Sequence, residues 1–75
     1  MKRIYQFRLK LKEVLNSKGI SQKELSKMTG IREGTISEMA NDTRSTYNKK
    51  HLATVMDALN VTKLEDILEL RVIEE

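Results

Sequence analysis

Apolar residues recur at the three-and-four spacing of helices through most of this chain and lose that spacing at its two ends. Phe7, Leu11, Val14 and Leu15 fall on one stripe with Lys18, which predicts a first helix from near Arg8 to Lys18. Gly19 can turn left-handed and stop it, and Lys18 in its last turn complements the helix dipole. Leu25 and Met28 give a second helix its apolar face, opened by a Ser21–Glu24 capping box and closed by Gly30. Ile31 is positioned to tuck under the following turn, and Ile36 and Met39 to bury one side of a third helix over about 32–41. Asn48 suits the N-cap of a fourth helix carrying Leu52, Val55, Met56 and Leu59 inward, with Asn60 at its close. Thr62 and Glu65 form a second capping box opening a fifth helix, in which Leu64, Ile67, Leu68 and Leu70 would complete the core.

The ends are less regular. Arg3 to Phe7 is rich in β-favouring residues and reads as a strand or extended arm, although Ile4 and Phe7 also suit the start of the first helix. Arg71 to Glu75 has no helical stripe; Val72 and Ile73 can pair with Ile4 and Tyr5, or the tail frays. The expected fold class is therefore all-α: a compact bundle of about five helices in one domain over residues 1–75, its core at about 9–70, with a short strand pairing at the termini as an optional addition.

The second and third helices, joined by a short Gly turn, form a helix-turn-helix pattern, whose second helix can enter a DNA major groove. The stretch SQKELSKMTGIREGTISEMAND resembles the helix-turn-helix of the Cro/phage-repressor family, through its Ser-Gln-x-x-Leu-small opening, Gly-Ile turn and Thr-Ile-Ser run. The resemblance extends from about Leu9 to Leu70. It implies that Gln22 and the amides at its helix start bond a phosphate. It also implies that Asn41, Thr43, Arg44, Thr46, Lys49 and Lys50 face the next stretch of backbone. Arg32, Glu33, Gly34, Ser37 and Glu38 would face base edges, with Thr35 partly toward the backbone. Five positions depart from the family pattern. Ser26 stands where alanine is usual, at a helix crossing that demands a small side chain. Leu15 and Ala40 replace a partly buried Arg–Glu pair found in many relatives, and losing both partners together strands no charge. Glu33 and Glu38 stand where relatives often carry glutamine, arginine or serine. Carboxylates repel phosphates and can accept only from cytosine N4 or adenine N6 in the major groove.

Charge sharpens this picture. The net charge is +3, but residues 1–18 carry +5 and residues 57–75 carry −4. Lys49, Lys50 and His51 lie in the first turn of the fourth helix, where cations oppose the dipole unless an anion such as phosphate is nearby. Cysteine is absent, which excludes disulfides and thiolate metal sites and suits a reducing cytoplasm. No apolar run is long enough for a membrane span and no signal core opens the chain, so a soluble cytoplasmic protein without membrane association is expected. The single histidine has no acid at ligand spacing, and no phosphate-cradling glycine motif is present. Neither an enzyme, a cofactor nor a metal is expected.

Two functions remain. One is a sequence-specific repressor acting as a homodimer on double-stranded DNA, with the terminal segments around Ile4, Val72 and Ile73 as the expected dimer surface. The other is a protein-interaction module on the same scaffold, an antirepressor or co-regulator with weak or no DNA binding, motivated by the acidic third helix and acidic C-terminal part.

Overall fold

Leu11, Leu25, Ile36, Val55 and Ile67 are fully enclosed, and each comes from a different segment of the chain. They bring together the four helices of the computed structural model, which describes residues 2–75: α1 (Leu11–Lys18), α2 (Gln22–Thr29), α3 (Glu33–Asn41) and α4 (Lys49–Ala58). Two strands, β1 (Arg3–Leu9) and β2 (Leu68–Glu74), flank the helices in sequence and pair with each other.

The helix boundaries follow local chemistry. Gly19 and Gly30 end α1 and α2 in the left-handed conformation, at φ 67° and 76°. The Ser21–Glu24 capping box is complete: the Glu24 amide donates to Ser21 Oγ at 3.0 Å and the Ser21 amide to Glu24 Oε1 at 3.2 Å. The His51 amide donates to Asn48 Oδ1 at 3.1 Å and so caps α4. Leu15 and Ala40 are both buried, so these two positions bring only apolar side chains into the core.

The all-α bundle of about five helices is overturned. There are four α-helices and a two-stranded antiparallel sheet. Where the fifth helix was expected, Leu64–Asp66 makes a single 3-10 turn without side-chain capping, so the Thr62–Glu65 box does not form. Only Ile67 of that segment is buried, while Leu64 is 51% and Leu70 54% exposed. The reason is a change of period: Leu68, Leu70 and Val72 alternate with Glu69 and Arg71, and alternation puts those apolar residues on one face of a strand. Phe7 likewise belongs to a strand and leaves the stripe of α1, and Met28 lies outside the core, at 51% exposure.

The strand register sets Arg3 opposite Glu74, Ile4 opposite Ile73, Tyr5 opposite Val72, Gln6 opposite Arg71, Phe7 opposite Leu70, Arg8 opposite Glu69 and Leu9 opposite Leu68. Residues directly opposite share a face, so the ribbon has two distinct sides. One carries Tyr5, Phe7, Leu9, Leu68, Leu70 and Val72, ending in the Arg3–Glu74 ion pair at 3.2 Å. The other carries Ile4 with Ile73, Gln6 with Arg71, and Arg8 bridging Glu69 at 3.1 Å and also Glu13. The ribbon is anchored at its base, where Leu9 is buried and the Lys10 amide donates to the Ile67 carbonyl at 2.7 Å. Its far end is exposed, and the molecule is 46 Å long by 20 and 19 Å across.

Candidate nucleic-acid interface

The turn between α2 and α3 is fastened by two hydroxyls. Ser26 Oγ donates to the Ile31 carbonyl, and Thr29 Oγ1 donates to the Leu25 carbonyl at 2.8 Å while accepting from the Ile31 amide at 3.1 Å. Serine at the small-residue crossing thus bonds the turn backbone as well as leaving room. Ile31 and Ile36 are buried beneath, which fixes the rotation of α3 about its axis. With Ile36 and Ala40 inward, Glu33, Gly34 and Asn41 are exposed, and Thr35, Ser37 and Glu38 are half-buried at its flanks. Arg32 is exposed just before the helix, as its N-cap residue, without a side-chain cap bond.

The sequence-selected residues form two groups. Gln22 is the first residue of α2, half-buried, directly after the Ser21 cap. Thr43, Arg44 and Thr46 occupy the exposed loop after α3, and Lys49 and Lys50 the exposed first turn of α4. The Thr43 amide still donates to the Glu38 carbonyl at 3.3 Å, and Asn41 Nδ2 donates to Ser37 Oγ at 3.5 Å. The loop is therefore tied to the end of α3.

Electrostatically, the two acids of α3 differ. Arg44 reaches back from the loop and donates to Glu38, whose carboxyl is held below its usual range by that bond and by the guanidinium charge. The Arg44 pKa is raised by the same contact. Glu33 makes no ion pair or side-chain hydrogen bond among the described residues. Its location in the first turn of α3 suits the helix dipole.

Sequence reasoning missed Asp42 and Tyr47. Asp42 caps α3 at φ 54°, accepts from the Leu9 amide at 3.2 Å through Oδ2, and accepts from the Tyr47 hydroxyl at 3.1 Å through Oδ1. Burial raises the Tyr47 pKa, assisted by the neighbouring Asp42 charge. One carboxylate thus joins the end of α3, the loop after it and the base of the ribbon. The only sequence signal was an aspartate just after a helical stripe, a residue type that tolerates the left-handed conformation. A cleft of about 410 Å³ opens between α3, the loop and α4, with Thr35, Glu38, Asn48 and His51 on its wall.

Two short helices joined through Gly30 and Ile31, the second with its polar residues turned outward, define a helix-turn-helix domain. A family model described as the Cro/C1-type HTH DNA-binding domain matches residues 10–71, and the chain belongs to that family. It is a DNA-binding domain of the regulator type. Comparisons with curated proteins and with solved structures give no match. No helix among the described residues is long and apolar enough to cross a membrane.

Proposed function

We propose that this protein is a sequence-specific transcriptional regulator of the phage- or plasmid-repressor kind, which binds a two-fold operator as a homodimer through α3. The observation that carries this reading is the exposed polar side of α3, inside a matched DNA-binding family, flanked by exposed cations at the start of α4. Gln22 and the amide end of α2 bond one phosphate, while Asn41, Thr43, Thr46, Lys49 and Lys50 follow the next stretch of backbone. Arg44 joins them when a phosphate displaces Glu38. Arg32 reads guanine, Glu33 or Glu38 accepts from cytosine N4 or adenine N6, and Gly34, Thr35 and Ser37 complete the reading face. Such a regulator acts where the DNA is, in the cytoplasm or nucleoid.

Selection of bound fragments from random duplex DNA tests this directly and should return a site with two-fold symmetry. On that site, Lys49→Ala or Lys50→Ala should weaken binding to all duplexes alike and flatten the logarithmic salt dependence by about one unit per lost phosphate contact. A lysine variant that changes base preference would mean that a helix other than α3 reads the bases. The second reading, a protein-interaction module, draws on the uncompensated Glu33 carboxylate. Absence of any selected duplex, together with capture of a partner that Glu33→Gln abolishes, would favour it.

A further inference from the structure

The ribbon leaves a question that the DNA-facing residues do not answer. Its apolar face runs continuously out of the core. Leu9 and Leu68 start it at the buried base, and Phe7, Leu70, Tyr5 and Val72 continue it into solvent at 57%, 54%, 57% and 44% exposure. A two-stranded ribbon with one apolar face is marginal in water unless something covers that face. Among the described residues, no element does so.

We infer that this face, Tyr5–Phe7–Leu70–Val72, packs against the same face of a second copy, and that the dimer seam is this face and excludes the Ile4–Ile73 side. The inference rests on the dimeric reading above and names the surface that serves it. Three observations favour a second copy as occupant. First, the face is self-complementary in charge. Its only ionised residues are Arg3 and Glu74, already bonded to one another, so two copies meet without net repulsion. The opposite face carries Arg8, Glu69 and Arg71, whose charges would have to be desolvated. Second, four half-exposed side chains of this size offer on the order of 450 Å² of surface per copy. Two copies, with Leu68 and the Arg3–Glu74 rim, bury on the order of 1,000 Å², the lower limit for a specific interface. Third, the ribbon is anchored to the helical body at its base, where Leu9 is buried, and the outer residues of this face are open to a second ribbon. Phe7 and Leu68 also border a hollow shared with Asp42, Arg44 and Tyr47, which sets the seam beside the loop that follows α3.

Such a dimer is weak in free solution and completed by a two-fold site. The test is sedimentation of the full chain over a concentration series reaching about 1 mM, above which association carries little specificity. The parent should pass from monomer to dimer. Phe7→Thr with Leu70→Thr should stay monomeric, and Ile4→Thr with Ile73→Thr on the other face should dimerise as the parent does. Val72→Thr, close to isosteric and strand-favouring, keeps the test open if the double variant does not fold; it should raise the dimer Kd several-fold with an unchanged circular dichroism spectrum. On a duplex carrying two half-sites, the monomeric variant should lose the roughly 100-fold advantage over a single half-site that linked binding supplies, yet keep its half-site affinity. A parent that stays monomeric throughout overturns the inference. So does a Phe7/Leu70 variant that still dimerises, or dimerisation lost from the Ile4/Ile73 variant. If the sedimentation results hold but no duplex is bound, the interface stands and the operator reading falls.

Discussion

At the scale of single residues, the exposed side of α3 is less acidic than its composition. Glu38 is held by Arg44, so the anion nearest the middle of α3 has a cation of its own. Arg44 is exposed and Glu38 only half-buried, so the pair lies at the surface and contributes little to stability. Its consequence lies in binding, because Arg44 cannot serve Glu38 and a phosphate equally well. Glu38→Gln should therefore release Arg44, raise affinity for non-specific duplexes and steepen the salt dependence by about one unit. Arg44→Ala should then weaken non-specific binding more in the Glu38→Gln background than in the parent, a coupling that a double-mutant cycle reads directly. Equal losses in both backgrounds would mean that the pair and the phosphate contact do not compete. Glu33→Gln, which frees no cation, should raise non-specific affinity without changing the effect of Arg44→Ala.

At the scale of elements, the orientation of α3 depends on the residue at its inner face. Ile36 is fully enclosed, and with Ala40 it sets which residues of α3 face outward. An unpartnered carboxylate there costs several kcal/mol, on the order of the whole stability of so small a domain. Ile36→Asp should abolish cooperative melting, measured by circular dichroism. A cooperative transition near the parent temperature would show that α3 can rotate to expose that position. This much was readable from the sequence, because Leu25 follows a capping box, Ile31 follows the Gly30 turn, and Ile36 and Met39 recur at helical spacing beyond it. The fifth helix was misread for a related reason. Leu64, Ile67 and Leu68 fit a helical stripe over one turn, but the alternation from Leu68 onward is longer and has a partner strand to satisfy its backbone.

At the scale of the whole molecule, the ribbon joins the two ends of the chain and lies against the helices only at its base. Asp42 bonds the Leu9 amide at that base while capping α3, so the ribbon and α3 are held in one frame. Deleting residues 71–75 should remove the outer half of the β1–β2 pairing, taking Val72 from the apolar face and leaving Tyr5 without a partner, while Phe7, Leu70, Leu68 and the core stay in place. The shortened chain should still melt cooperatively, sediment as a monomer, and bind a two-half-site duplex no better than a single half-site. Unchanged sedimentation would remove the ribbon as the seam.

The sequence by itself determined the local devices: the Ser21–Glu24 box, the glycine stops, the Asn48 cap, the apolar stripes of four helices and the family to which they belong. Each is set by residues within about one helical turn, whose chemistry is present wherever the chain lies. Only the tertiary structure decided between a paired and a frayed C-terminal end, set the register of the two strands, and showed where Asp42 and Arg44 reach. Those outcomes depend on groups far apart in sequence, as Leu9 and Asp42 are, or across a loop, as Glu38 and Arg44 are. No periodicity along the chain records such distances. A strand's two faces acquire different environments only once its register with a partner is set.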